Sequence, residues 1–344
     1  MGSKQNEDRH AWEEPGAFPV APGVHRIPLP LPNDGLRAVN VYAIEDGDDL
    51  VLVDSGWALD AARDRLAKAL DQIGAKLGDV RRFLVTHVHR DHYSQALTLR
   101  REFGSQVAIG EQERHSLDAI LDAHRAFAPQ IPLLRAAGAG ALADELTALV
   151  AEVPAEQTIY EYPDEWIADG TDIGLRTRSL RAVATPGHTR GHVVFHDEQS
   201  GLLFAGDHVL PHITPSIGFE PAPVELPLGD YLASLHLVRK MPDTVLLPAH
   251  GPVSDSTHKR IDELLEHHRT RLDSTLGTVT KGADTAAAAA GILTWTRRER
   301  ALSDMDPFNR MLATLETAAH LDVLVTQGVL RVETVDGVRH YTVL

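Results

Sequence analysis

From Val39 onward, apolar and polar positions fall into short, regular runs. The stretches "VNVYAIEDG" (39–47) and "DDLVLVDSG" (48–56) are β-rich and flank an Asp-Gly turn, which predicts a hairpin. The segment "ALDAARDRLAKALDQIG" (58–74) then repeats apolar residues at helical spacing and stops at Gly74, a C-cap residue. A short apolar strand, "VRRFLV" (80–85), runs directly into "THVHRDH" (86–92), and "YSQALTLRREFG" (93–104) resumes the helical period. Strands alternating with helices predict an α/β (α+β) chain, and a polar loop at a strand's end is where such folds place chemistry.

The loop at 86–92 carries three histidines and an aspartate. In an extended turn His87 and His89 project to the same side and can share one ion, while Asp91 and His92 follow as the helix begins. A site for two ions needs further donors, and these too should follow short apolar strands. Three places meet that condition: His188 in the Pro-Gly turn of "LRAVATPGHTRGH", Asp207 after "LLFAG", and His250 after "VLLPA". With no cysteine in the chain, thiolate sites and disulfides are excluded, and any metal is held by imidazole and carboxylate. Two zinc ions suit that donor set best, with iron or manganese as alternatives.

The ordered series His87, His89, Asp91, His92, His188, Asp207 and His250 resembles the metallo-β-lactamase-fold metallohydrolases, across about residues 20–265. The resemblance implies a four-layer αββα sandwich with its site at one edge, between two mixed sheets. It implies His87, His89 and His188 on one metal, Asp91, His92 and His250 on the other, and Asp207 bridging. It also gives Asp54, in "VLVDSG", a place behind the metal-binding loop, and Asp91 a catalytic part in orienting the attacking hydroxide and passing a proton to the leaving group. One departure is "DHYSQA", where many members carry Gly after the cluster; Tyr93 there, and His208 and His212 in "GDHVLPHITPS", are candidates for the substrate pocket. His192 and His196 sit on an alternating strand and read as packed and hydrogen-bonded rather than ligating. His115, His124, His258, His267, His268 and His320 lie in helical contexts, where a solvated or packed histidine is the rule.

Three segments frame this domain. Residues 1–18 are largely polar and expected to be disordered, and the catalytic domain is expected over 19–265. Within it, about residues 111–153 read as a helical insertion of two or three helices. This is either a lid whose Phe127, Ile131, Leu133 and Leu134 contact an apolar part of the substrate, or outer packing or a homodimer surface. Residues 266–344 read as a small unit of helices and a hairpin about Asp336-Gly337, similar to the winged-helix unit of one branch of the family, some of whose members are ribonucleases.

Charge bears on that alternative. The net charge is -16, and from Asp284 to the end six arginines face eight acidic residues, a balance of -2. A wing built for nucleic acid would be distinctly basic. Neither a leader-like apolar segment nor a run of 18 apolar residues occurs, so a cytoplasmic protein without membrane contact is expected. The sequence therefore points to a dinuclear hydrolase using a metal-bridging hydroxide on a small ester, thioester or lactone, a small-molecule acyl substrate; thioesters are suggested by similarity to glyoxalase II-like members. The alternatives are a metal-dependent endoribonuclease, an iron-dependent sulfur dioxygenase and a non-catalytic binding protein.

Overall fold

The computed structural model describes residues 10–32, 35–122, 127–151, 159–296 and 299–344. Seven strands form the first sheet, paired in chain order: β1 (Phe18–Ala21), β2 (Val24–Pro30), β3 (Ala38–Asp46), β4 (Asp49–Val53), β5 (Val80–Val85), β6 (Gln106–Gly110) and β7 (Glu165–Ile167). The pairing is antiparallel from β1 to β4 and parallel from β4 to β7. The predicted hairpin is thus β3–β4, with Asp46 opposite Asp49. The second sheet contains β8 (Asp172–Gly174), β9 (Ser179–Ala184), β10 (Val193–Asp197), β11 (Leu202–Gly206) and β12 (Val245–Pro248), in the order β12-β11-β10-β9-β8.

Strand β3 shows why its sequence reads as nearly all apolar. Val39, Val41 and Ala43 face an outer core shared with α1 (Asp60–Gln72) and α2 (Arg90–Phe103), through Leu66, Leu70, Ala96 and Leu97. Tyr42 and Ile44 face inward, against Phe195, Phe204 and Leu247 of the second sheet. A strand buried on both faces has no polar side to display. The second sheet's outer face, with Val194, Leu203 and Leu246, is covered by Leu228, Tyr231 and Leu235 of α6 (Pro227–Arg239) and by Ile261 and Leu264 of α7 (Thr257–Thr280). Two packed sheets with helices outside each make four layers, the αββα sandwich.

Among the described residues, three helices occupy the stretch between β6 and β7: α3 (Glu113–Asp122), α4 (Gln130–Ala136) and α5 (Gly140–Ala151). The C-terminal residues form α8 (Ala286–Ile292), α9 (Pro307–Thr326) and the hairpin β13 (Leu330–Val335) and β14 (Val338–Val343), which turns at Asp336-Gly337. Residue 266, where the sequence places the start of this unit, lies inside the continuous helix α7, so both parts share that helix. Helix α9 binds three neighbours at once. Ala319 and Val323 join the core of the second sheet, Met311 and Leu315 meet Leu134, Leu142 and Leu146 of α4 and α5, and Leu321 and Leu324 pack on Leu330 and Tyr341 of the hairpin.

At the other end, residues 10–18 depart from the expected disorder. Ala11–Glu13 form a single helical turn, and the Arg26 guanidinium donates to the Trp12 carbonyl at 2.6 Å, which ties this segment to β2. The rest of that segment, residues 1–9, lies outside the described residues, as does His124. Among the described residues no helix is long and apolar enough to cross a membrane.

Two outcomes test this packing. Leu321→Ala should cost about 2–5 kcal/mol, the usual range for a buried leucine, and should move one shared urea transition of the whole chain; a separate early transition for the C-terminal residues would show that α9 does not unite the parts. Behind α6, His268 and His320 stack 5.4 Å apart, both fully buried, and burial lowers them to about 2 and about 4. The unfolded chain binds protons there that the folded chain does not, so their contribution to stability is complete above pH 6.5 and declines as pH falls toward about 4. The double variant His268→Leu/His320→Leu should therefore lose less stability than the parent between those pH values, followed by urea midpoints; an identical slope would refute the assignment.

Candidate metal centre

The site is assembled where strands end. Asp54 closes β4 in the left-handed region, with φ 61°, uncommon for a residue with a side chain. That bend aims its carboxylate at the next strand's loop. It accepts from the Thr86 amide at 2.8 Å, from the Thr86 hydroxyl at 3.0 Å and from His92 Nδ1 at 2.9 Å. His92 is thereby fixed with its proton on Nδ1 and Nε2 pointing the other way. Two more imidazoles are held in the same manner: His188 Nδ1 donates to the Ser216 carbonyl and His250 Nδ1 to the Ala38 carbonyl, each at 2.8 Å.

Close backbone approach explains two glycines. Gly187 has φ 136°, and a Cβ there would lie 2.6 Å from the Tyr231 amide nitrogen on α6, so the turn before His188 accepts no side chain. At Gly206, with φ 50°, a Cβ would lie 2.7 Å from both Thr86 and His192. Asp207 follows directly, and its amide donates to His192 Nε2 at 3.2 Å, while His192 Nδ1 meets the Thr185 hydroxyl at 2.9 Å. His192 is therefore occupied in holding the Asp207 backbone, the packed and hydrogen-bonded role read from the sequence.

The seven expected residues converge in two groups. Donor atoms of His87, His89, His188 and Asp207 lie within 4.8 Å of one another, and so do those of Asp91, His92 and His250. Asp207 faces both. Its Oδ2 is 3.4 Å from His188 Nε2, and its Oδ1 is 3.3 Å from His250 Nε2 and 3.7 Å from His92 Nε2. Asp91 Oδ2 stands 3.5 Å from both His92 and His250. Four of the converging atoms, the Nε2 of His87, His92 and His250 and Asp207 Oδ1, are buried without a hydrogen-bond partner, and His89 turns its Nδ1 to within 3.1 Å of His188 Nε2. Since buried polar atoms are almost always paired, four orphans pointing into one space fit a cation site.

Electrostatics agree with that reading. Burial, reinforced by neighbouring histidines, holds His87 far below its ordinary value and His89 at about 3, so both are neutral donors at pH 7. At His92 burial acts in the same direction but is outweighed by Asp91, Asp54 and Asp207, which raise it to about 10. Asp207 is buried, yet His250, His92 and His188 keep it below the ordinary carboxylate range. The carboxylates thus create a place for positive charge at the second group. His89 and Asp91 are the half-buried members, and they mark the side from which a ligand can enter.

The profile of the metallo-beta-lactamase superfamily matches residues 34–250. The chain belongs to that superfamily. A lactamase-like protein, nscB, of Aspergillus fumigatus is 26% identical over 249 residues, which cover 72% of this chain and 58% of that protein, so the chain spans less than two thirds of this relative. A probable metallo-hydrolase of Bacillus subtilis, YqjP, is 26% identical over 310 residues, 87% of this chain and 90% of the relative. Among solved structures, a metallo-beta-lactamase family protein of Thermus thermophilus superposes with a TM-score of 0.76 at 28% identity, covering 95% of this chain and 100% of that one. A beta-lactamase domain protein of Burkholderia ambifaria gives 0.76 at 29% identity, covering 95% and 94%.

In this superfamily member the expected pocket residues divide. Tyr93 is fully buried and its hydroxyl donates to the Glu161 carbonyl at 2.7 Å. Helix α2 begins at Arg90, which puts residues 93, 96 and 97 on the stripe facing the sheet, so Tyr93 serves the core and offers nothing to a ligand. His208 is also fully buried, its ring 5.4 Å from that of Tyr231 and 6.1 Å from that of His192. His212 stays half-exposed beside Gly251. Several residues at the site carry no local signal in the sequence. Phe219 lies 6.0 Å from the His89 ring and continues to Phe308 at 5.5 Å and Phe127 at 6.2 Å, an aromatic wall drawn from three distant segments. Across the mouth the Arg90 guanidinium stacks on Trp57 at 3.9 Å.

Proposed function

We propose that this chain is a metal-dependent hydrolase of small esters, thioesters or lactones that works with two divalent ions. The observation that carries the reading is the Asp207 carboxylate with one donor group at each oxygen, amid orphaned imidazole nitrogens. His87, His89 and His188 would hold one ion and Asp91, His92 and His250 the other, with Asp207 shared. Zinc is the first choice for such imidazole and carboxylate donors, ahead of iron and manganese. Two bound ions would supply Lewis acidity toward a carbonyl oxygen and a water deprotonated near neutral pH.

The chain's own residues do the rest. Asp54 and the Ala38 and Ser216 carbonyls keep the imidazoles turned inward, so no reorientation is needed when a substrate arrives. Asp91, at the half-buried side, is placed to pass a proton to the leaving group. The wall of Phe219, Phe308 and Phe127 receives an apolar acyl group next to His89. The net charge of -16 weighs against a polyanionic substrate such as RNA. The description of the Bacillus subtilis relative as a probable metallo-hydrolase supports the reaction class.

The test is thiol release from a panel of acyl-glutathione and acyl-CoA thioesters by the zinc-loaded protein. Because the chain has no cysteine, a thiol reagent sees product alone. His89→Ala is expected to reduce release to background while far-UV circular dichroism stays unchanged; a variant with full activity would refute the site. If the wall receives the acyl group, Phe219→Ala should lower kcat/KM for long-chain acyl groups by about 10- to 200-fold relative to acetyl, the equivalent of about 1–3 kcal/mol. Equal losses for all chain lengths would remove the wall from substrate recognition.

A further inference from the structure

Two buried carboxylates remain unused by this scheme. Glu113, the first residue of α3, is completely buried, and Glu220 nearly so. Glu113 Oε1 accepts from the Val88 amide at 3.3 Å and from the Thr189 hydroxyl. Val88 stands between His87 and His89, and Thr189 follows His188. One oxygen atom therefore joins the loop that carries two donors to the turn that carries the third. Glu113 Oε2 is buried without a hydrogen-bond partner.

Glu220 secures the same turn from its other side. Its Oε2 accepts from the Arg190 amide at 2.6 Å, and its Oε1 from the Ser116 hydroxyl at 2.7 Å and the Ala222 amide at 3.1 Å. Gly191 completes the fit, for any Cβ there would collide with the backbone of Glu113. The start of the helical insertion is thus pressed into the turn at 188–191. Burial, with Glu220 nearby, pushes the Glu113 carboxyl up to about 8, so a neutral hydrogen-bonding group suits the position.

The second donor group has different supports. His92 hangs from Asp54 and His250 from the Ala38 carbonyl, neither of which touches Glu113. Resting on the two-ion reading above, we propose that Glu113 is a positioning residue for the His87, His89 and His188 position alone, setting the spacing of its two loops through Val88 and Thr189. A residue that merely anchors α3 would change stability and leave both ion affinities as they are.

Equilibrium dialysis of the full metal-free chain against buffered free zinc, with bound zinc counted by mass spectrometry, separates these roles. The parent should bind two ions. In Glu113→Ala one affinity should fall by about tenfold or more, the effect typical of losing a group behind a metal ligand, while the other stays at the parental value. Glu113→Gln keeps a carbonyl oxygen for both donors and should retain both affinities. Thr189→Val, which removes only the hydroxyl, should weaken the same single ion and keeps the test available if Glu113→Ala fails to fold. Parental affinities in Glu113→Ala and Thr189→Val, or equal weakening of both ions, would overturn the proposal. A parent that binds no zinc would instead sink the two-ion reading on which it rests.

Discussion

Buried polar atoms without hydrogen-bond partners, turned toward one another, are the constraint around which this site is organised. The Nε2 atoms of His87, His92 and His250 and one oxygen of Asp207 are shut away from water without a hydrogen-bond partner, although Asp207 Oδ1 faces His250 Nε2 at 3.3 Å. Each unsatisfied group costs about 1–3 kcal/mol, so the cluster is a sizeable deficit against a total stability of about 5–15 kcal/mol. A cation in the middle would convert that deficit into binding energy. The same geometry that weakens the free protein makes the site ready for metal.

That readiness depends on control of the opposite side of each ring. A histidine has two nitrogens, and fixing the proton on Nδ1 decides where the lone pair points. Here the fixing groups are a carboxylate for His92 and main-chain carbonyls for His188 and His250. The Ala38 carbonyl begins strand β3, so the orientation of His250 derives from the sheet, whereas the Ser216 carbonyl that holds His188 belongs to the stretch between β11 and α6. Asp54 extends the same principle, because its left-handed backbone directs one carboxylate to both Thr86 and His92.

What the sequence reveals follows from this division. The clustering of the seven residues was legible because each follows a short apolar strand, and strand ends in a two-sheet sandwich meet along one edge. Asp54 was legible for the same reason. The hairpins at 46–49 and 336–337 announced themselves through Asp-Gly turns between β-rich runs. Proximity in sequence misled at Tyr93 and His208, which adjoin site residues yet point into the cores, since a helix turns successive side chains by about 100° and a buried loop turns them without any period. Glu113, Glu220, Phe219 and Phe308 went unread because their meaning lies in contacts between segments 25 to 130 residues apart, for which no local spacing gives a cue.

Those distant contacts also connect the outer parts of the chain to its centre. Helix α9 packs on the second sheet through Ala319 and Val323 and on the insertion through Met311 and Leu315, and its first turn places Phe308 in the wall that begins at His89. The insertion in turn contributes Phe127 to that wall and Glu113 to the metal-facing loops. A substitution in the interface between α9 and α5 would thus reach the mouth of the site without touching a donor. The two sheets fix which atoms face the cluster, whereas the insertion and α9 shape its mouth. The surroundings of the cluster can therefore diverge among sandwiches that keep it, because the parts that form them lie outside the strands that carry it.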